Sequence, residues 1–233
     1  MSTGSDGFAL EIFQFLTSLK IEATLPVDFE VLDPYSNPEV RRVVKEFTTR
    51  YYGGDHKRVS IWGINPGRHG GGITGLSFTD PFAVRELLGI ETTLHGKREL
   101  SAQFICKVID AYGGPQSFYH DFYLSALSPL GFVKNGKNIN FYDDAAFASE
   151  LEPQIIAWMK EQIRAGLRDD VCIVLGTGKM STVVERRLKS HLPFTTIEYL
   201  EHPRFIMQYR RRSHEAYVDR YIKILRRIIQ QNS

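Results

Sequence analysis

The sequence predicts an α/β protein, with a three-layer α/β/α arrangement around a central, mostly parallel four-stranded sheet. Short apolar runs rich in β-branched and aromatic residues indicate strands at residues 59–64, 122–127, 171–175 and 194–200. Stretches with apolar residues at helical spacing lie between these runs. Strands that alternate with helices form parallel sheets covered by helices on both faces.

The first part of the chain is predicted to be a helical extension over residues 1–30 of a single domain that spans residues 1–233. Residues 1–7 are expected to be flexible, and helical spacing then links Phe8, Ile12, Phe15, Leu16 and Leu19. Asn37 and Pro38 are a helix-start signal, because proline is favoured in the first turn. The apolar stripe of this next helix continues until Gly53 and Gly54 end it.

Later helices are indicated by the same spacing. We predict helices at residues 81–88, 104–112, 181–191 and 214–229. Glycines and a proline at 113–115 are the end signal of the helix at 104–112. A further helix begins near residue 143, and Pro153 is expected to restart it. Residues 134–138 are read as a polar loop.

A glycine-rich stretch follows the first predicted strand of the sheet. Pro66 cannot donate to a strand ladder, so Asn65 is held at the strand's carboxyl end. Five glycines then occur within nine residues, 67–75. Glycines let backbone N–H groups approach a ligand closely, which favours a binding loop. The alternative is an ordinary flexible loop.

Composition limits the class of protein. The chain has 233 residues, 42% hydrophobic and 24% charged, which is ordinary for a globular protein. The formal net charge of +2 means that any nucleic-acid partner must be met by a local patch. Cys106 and Cys172 are too few for a four-cysteine metal site, so we expect free thiols, no metal and no cofactor. No signal peptide or membrane-length run is visible, and we expect a cytoplasmic monomer.

Polar side chains follow two of the predicted strands. Asn65 follows the first, and Glu201-His202-Pro203-Arg204 follows the fourth. Ligands of open α/β sheets bind beyond the carboxyl ends of the strands, near a change in strand order. The two strand ends therefore predict a common site. A histidine with only a structural role is the alternative for His202.

Two motifs resemble those of the uracil-DNA glycosylase superfamily, most closely its single-strand-selective monofunctional (SMUG) group. Gly-Ile-Asn-Pro-Gly at residues 63–67, followed by Thr74-Gly75 and Phe78, is similar to the first motif. His202-Pro203-Arg204 is similar to the second, although the serine and second proline usual there are missing. The resemblance runs from about residue 32 to 229 and suggests a divergent bacterial branch.

The resemblance implies roles for individual residues. Asn65 would position the attacking water, and His202 would donate a hydrogen bond to O2 of the departing uracil. Phe78 would stack on the flipped base, with core packing as the alternative. Ala126 stands where the family carries the asparagine that reads the base edge. The implied base-binding residues are Gly63, Ile64, Gly67, Arg68, His69, Phe78 and Ala126.

A segment of mixed apolar and basic residues follows the second motif. Its apolar part suits a wedge that enters the base stack, and its arginines suit phosphates. A helix start with a solvated basic face is the alternative. The predicted DNA-binding residues are Arg204, Phe205, Ile206, Met207, Arg210, Arg211 and Arg212.

The predicted function is a monofunctional DNA glycosylase that flips out and hydrolyses uracil, and also xanthine, from DNA with deaminated bases in base excision repair. A non-catalytic nucleic-acid-binding module with the same fold is one alternative. A nucleotide hydrolase is another, because Gly176-Thr177-Gly178-Lys179 is similar to a phosphate loop. The Walker pattern requires other residues where Ile173 and Met180 stand, so this signal is weak.

Overall fold

The computed structural model describes residues 7–231, which form two sheets and the helices around them. The strands are β1 (Phe29–Leu32), β2 (Arg58–Gly63), β3 (Phe122–Ala126), β4 (Gly131–Lys134), β5 (Lys137–Ile139), β6 (Leu167–Leu175) and β7 (Thr196–Leu200). The central sheet has the order β3-β2-β6-β7, and each pair in it is parallel. The predicted four-stranded sheet is confirmed.

Helices flank this sheet on its two sides. They are α1 (Gly7–Ser18), α2 (Pro38–Tyr51), α3 (Gly71–Thr74), α4 (Pro81–Glu86), α5 (Leu100–Tyr112), α6 (Gly114–Asp121), α7 (Ala145–Arg164), α8 (Lys179–Val183), α9 (Pro203–Tyr209) and α10 (His214–Gln230). Helix α1 contacts α2 and α7, whereas α5 contacts α9 and α10. The predicted α/β/α class is therefore confirmed. No helix within residues 7–231 is long and apolar enough to cross a membrane.

The order of the strands creates a crevice beside β2. The chain passes from β2 to β3 on one side, and later to β6 on the other side of β2. Because all four strands are parallel, their carboxyl ends meet at one edge of the sheet. A change in winding direction leaves room for a ligand at this edge.

A second sheet, antiparallel and in the order β1-β4-β5, was not predicted. The predicted polar loop at 134–138 is instead the end of β4, the turn and the start of β5 in a hairpin. Asn135 and Gly136 occupy its turn with φ of 49° and 70°. Asn-Gly is a strong hairpin signal, because such turns need positive φ at both central residues. This sheet lies beside the glycine-rich stretch.

Two helix predictions need correction. Pro153 does not restart a helix, since α7 runs through it from Ala145 to Arg164. Leu151 and Ile155 are fully buried on either side of the proline, and this packing holds the helix together across the lost backbone hydrogen bond. Gly113 ends α5 as predicted, but Pro115 then lies in the first turn of α6, which was not predicted.

The predicted N-terminal extension contains one helix within the described residues. Residues 1–6, most of the segment expected to be flexible, lie outside them. Helix α1 buries Phe8, whose ring contacts the rings of Tyr52 and Tyr123 at 5.3 and 5.7 Å between centroids. Residues 29 and 30, the end of the predicted extension, belong to β1 (Phe29–Leu32) rather than to a helix.

Candidate active site

A cavity lies at the carboxyl edge of the central sheet, where the sequence predicted a site. It is lined by Gly63, Ile64, Asn65, Pro66, Gly67, Gly71, Ser77, Phe78, Glu99, Ser101, Ala126 and His202. These residues come from the ends of β2, β3 and β7, from the glycine-rich stretch and from the start of α5. A wider cleft continues outward from it and is bordered by α9 and by residues 138–140.

The Asn65 side chain is held in one orientation by the unpredicted second sheet. Its amide nitrogen donates to the carbonyl oxygen of Ile139 at 3.1 Å, and its amide oxygen accepts from the backbone N–H of Phe141 at 3.2 Å. A carbonyl-type oxygen has two lone pairs, so one remains for a further donor such as water. The two hydrogen bonds therefore fix the orientation of the amide of Asn65, which lines the cavity.

His202 caps the amino end of α9, and this contact fixes its tautomer. Its Nδ1 accepts the backbone N–H of Arg204 at 3.1 Å. In the neutral ring the proton is therefore on Nε2, which is left as a donor. Burial, together with the nearby Arg204 charge, lowers the pKa of His202 to about 4. His202 is thus neutral at physiological pH.

Phe78 is presented to the cavity by a tight turn in which its φ is 55°, a left-handed conformation that is rare outside glycine. The Thr74 hydroxyl stabilises this turn, because it donates to the Thr79 carbonyl at 2.7 Å and accepts from the Leu76 N–H at 3.2 Å. The Phe78 ring lies 5.8 Å from that of His202. A Cβ on Gly63 would lie 2.5 Å from Phe78 Cζ, so only glycine fits beneath the ring.

The two residues at the end of β3 face opposite ways. Ala126 lines the cavity. The Ser125 hydroxyl points to the other side of the sheet, where it donates to the Gln162 side chain at 2.8 Å. Side chains alternate along a strand, so Ser125 cannot replace the asparagine that the family carries at Ala126.

Arg68 and His69 were predicted to bind the base but do not line this cavity. The Arg68 guanidinium is exposed and donates to the Gly136 carbonyl in the hairpin turn. His69 is partly buried, and burial and the neighbouring Arg68 charge lower its pKa. The glycine-rich stretch turns both side chains away, because its backbone folds into the short helix α3 directly after them.

Glu99, which the sequence analysis missed, lines both the cavity and the cleft. It is the residue before α5, 34 positions after Asn65 in the sequence. No periodicity or motif marks it, since it lies at the end of an irregular segment. Glu99 reaches the cavity only because this segment folds back over the glycine-rich stretch.

The predicted DNA-binding segment forms α9, and part of the prediction is wrong. Ile206 and Met207 are 0% and 7% exposed, so they pack in the core and cannot enter DNA. The exposed apolar side chains are Phe205 and Tyr209, at 41% and 60%. They are four residues apart in a helix and so share a face, with ring centroids 5.5 Å apart.

The basic part of this segment is exposed beside the cleft. Arg204 borders the cleft together with Phe205 and Tyr209. Arg210, Arg211 and Arg212 follow α9 as exposed residues, and none forms an ion pair with a carboxylate within residues 7–231. These four guanidinium groups can therefore meet anionic ligands.

The phosphate-loop-like turn after β6 is already occupied by protein contacts. The Lys179 ammonium lies 3.2 Å from an Asp143 carboxylate oxygen and 5.0 Å from the centre of the Tyr142 ring. In this structure the Lys179 ammonium faces Asp143 and the Tyr142 ring. Within residues 7–231, no group of three or more His, Cys, Asp or Glu side chains is arranged to hold a metal ion.

The cavity combines an aromatic face, a fixed imidazole donor and an oriented amide, an arrangement suited to a planar heterocycle with a carbonyl group. The family model described as "Uracil DNA glycosylase superfamily" matches residues 50–226. A solved structure described as wild-type SMUG2 from Pedobacter heparinus is similar at 36% identity, with a TM-score of 0.92, over 96% of this chain and 98% of that one. No curated protein sequence matches the chain.

Proposed function

The chain belongs to the uracil DNA glycosylase superfamily, and we propose that it is a monofunctional DNA glycosylase that removes uracil from DNA. Membership in this superfamily and similarity to a bacterial SMUG2 support a uracil-DNA-glycosylase type of function. The observation that carries the proposal is the convergence of Asn65, Phe78 and His202 on one cavity. The chain acts as a cytoplasmic monomer in base excision repair.

The reaction uses each of these side chains once. The target nucleotide is extruded from the stack, and its base enters the cavity against the Phe78 ring. As the C1′–N1 bond breaks, negative charge develops on the base, and His202 Nε2–H donates to its O2. Neutral, pre-oriented donors stabilise such charge without reorganisation. Asn65 orients the water that attacks C1′, and the product is an intact abasic strand.

An excision assay tests this proposal. Single-turnover reactions with a labelled single strand that carries one uracil are expected to release free uracil and leave a strand that breaks only after alkali. A strand with cytosine in place of uracil is the control. Absence of uracil release at enzyme excess would contradict the proposal and favour the non-catalytic module.

The nucleotide hydrolase is disfavoured by the contacts of Lys179 with Asp143 and Tyr142. Incubation of the chain with nucleoside triphosphates is expected to release no phosphate.

Selection of the base rests on few groups, because Ala126 supplies no hydrogen bond at the base edge. A site that reads a base by hydrogen bonds rejects analogues strongly, since its own buried groups go unpaired. Without that penalty, we propose that selection rests mainly on Phe78, His202 and the glycine-rich backbone. Xanthine has a 2-keto oxygen for His202 and hypoxanthine lacks it. We therefore propose that xanthine is excised better than hypoxanthine.

Ala126→Asn is expected to sharpen the preference for uracil over xanthine by at least about tenfold, because an amide at this position would pair with N3–H and O4. Single-turnover rates on uracil, xanthine, hypoxanthine and thymine strands measure the effect. Ser125→Ala, which removes a hydroxyl on the opposite face of β3, is the matched control and should leave the ratio unchanged. Strict uracil activity in both wild type and Ala126→Asn would mean that another residue reads the base.

The exposed face of α9 and the arginines after it form the proposed DNA contact. We propose that Phe205 and Tyr209 enter the base stack and that Arg204 and residues 210–212 meet phosphates. Phe205 is kept from the wedge of Phe205, Ile206 and Met207 that was expected from the sequence, and Tyr209 takes the place of the two buried residues.

Reversal of Arg210, Arg211 and Arg212 to glutamate is expected to weaken binding to abasic DNA and to flatten its salt dependence. Each lost phosphate contact lowers the slope of log K against log salt by about one. Reversal of the exposed Lys20, Lys45 and Lys160, which border neither cavity nor cleft, changes net charge equally and should have a smaller effect. Equal losses in the two variants would mean that net charge, not this segment, drives binding.

A further inference from the structure

The Glu99 carboxyl is a polar group in the cavity with no protein partner. Within residues 7–231, its two oxygens accept no hydrogen bond and form no ion pair. The backbone is fixed beside it, because the Glu99 N–H donates to the Asp80 carboxylate at 2.7 Å. The residue is half-buried and borders both the inner cavity and the cleft outside it. Its oxygens are therefore available to a ligand or to water.

Glycines in the neighbouring loop leave room for this carboxyl. A Cβ on Gly70 would overlap Glu99 Oε2, and one on Gly67 would lie 3.2 Å from Oε1. Gly67 is two residues after Asn65, so the Glu99 carboxyl, which comes from the residue before α5, lies against the loop that carries Asn65. The glycine-rich stretch thus leaves room for an acidic side chain as well as for a nucleobase.

The proposed hydrolysis needs a group that takes the proton of the attacking water. An amide is not a base, so Asn65 can orient water but cannot accept its proton. His202 Nδ1 is occupied by the Arg204 N–H, and Nε2 already carries the proton used to bind the base. Among the described residues that line the cavity, Glu99 is the remaining group with a basic oxygen.

We propose that Glu99 is a catalytic residue that accepts this proton, an inference that rests on the proposed glycosylase function. The C1′–N1 bond breaks first, and its electron pair leaves with the base, whose O2 is held by His202. The water oxygen then bonds to C1′ while one of its protons passes to the Glu99 carboxylate. Glu99 returns that proton to solvent or to the departing base. The carboxylate also stabilises the positive charge that develops on the sugar.

The surroundings of Glu99 set the pH at which it can act. Burial raises the pKa of Glu99 to about 7, the Arg204 charge opposes this rise, and the Asp80 charge adds to it. His202 lines the same cavity and is neutral above about pH 4. Glu99 accepts a proton only when ionised, so its contribution should grow as pH rises through about 7.

Glu99→Gln tests the inference, because it keeps the shape of the side chain and removes the basic oxygen. The single-turnover rate of uracil excision at pH 8 is expected to fall about a hundredfold, because the variant loses both the proton acceptor and the carboxylate charge that stabilises the cationic sugar. The wild-type rate should rise between pH 6 and pH 8, and this rise should be absent from Glu99→Gln. Binding to abasic product DNA and the melting temperature should be retained.

Glu86→Gln is the matched control, because Glu86 is exposed, pairs with Arg98 and lies outside the cavity. It should keep both the rate and the pH profile. Failure of the wild type to excise uracil would reject the proposed function itself. An active wild type with an equally active Glu99→Gln would overturn only the role of Glu99. A slower Glu99→Gln with the wild-type pH profile, or with lost product binding, would also overturn it, because both indicate a structural role.

Discussion

Asn65→Ala is expected to lower the single-turnover rate of uracil excision by about a hundred- to a thousandfold, the range typical for loss of one pre-oriented polar group in an active site. The Asn65 amide is tied to Ile139 and Phe141, so its free lone pair points in a fixed direction. Loss of the side chain leaves the attacking water unoriented. Rapid-quench measurements with enzyme in excess isolate the chemical step from product release.

Measured binding to abasic product DNA distinguishes a loss of catalysis from a loss of folding in Asn65→Ala. Asn65→Ala removes two hydrogen bonds to residues 139–141, so a control for loop structure is needed. Asn138→Ala removes a different contact of the same region, the acceptor of the Arg68 N–H at 3.1 Å. It should lower the rate much less than Asn65→Ala. Equal losses of excision rate in the two variants, or a near-native rate in Asn65→Ala, would contradict a role of Asn65 in the reaction.

The position of the site could be predicted because parallel strands bring their carboxyl ends to one edge. Asn65 and His202 are 137 residues apart in the sequence. Apolar runs mark the strands that precede them, and strand–helix alternation fixes their direction. Once both strands are parallel, each side chain that follows a strand lies at the same edge. Asn65, Phe78 and His202 line one cavity at this edge.

The supporting parts of the site were not predicted, because they depend on tertiary contacts. Asn65 is oriented by backbone groups of Ile139 and Phe141, and backbone groups carry no sequence signature. The hairpin that brings them there did have a signal in Asn135-Gly136, which was read as a loop. Glu99 had none, since an acidic residue before a helix is common on protein surfaces.

The exposed and buried faces of α9 could not be assigned from the sequence. Apolar residues occur at 205, 206, 207 and 209, so composition alone cannot say which of them is exposed. A helix puts Phe205 and Tyr209 on one face, and the fold decides which face meets the core. Phe205 is exposed, in agreement with its predicted DNA contact, whereas Ile206 and Met207 are buried and Tyr209, which was not among the predicted residues, is exposed.

His202→Ala is expected to lower the excision rate by about a hundred- to a thousandfold, because it removes the donor to O2 of the departing base. It also removes the cap of α9, where Nδ1 accepts from the Arg204 N–H. Loss of a cap typically costs about 1 kcal/mol of stability. His202→Asn separates the two effects, because asparagine is among the best capping residues. It should keep the fold and still lose most of the rate.

The charge state of the His202 ring provides a second test of its role as a neutral hydrogen-bond donor. Burial lowers the pKa of His202 to about 4, below the ordinary value of 6.5. The folded protein therefore binds this proton less readily than the unfolded chain, and the resulting loss of stability should develop as pH falls from about 6.5 towards 4. Nuclear magnetic resonance should find the His202 ring neutral at pH 6. A ring that titrates near 6.5 would instead make the donor an imidazolium, and excision would then fall as the pH rises through that value.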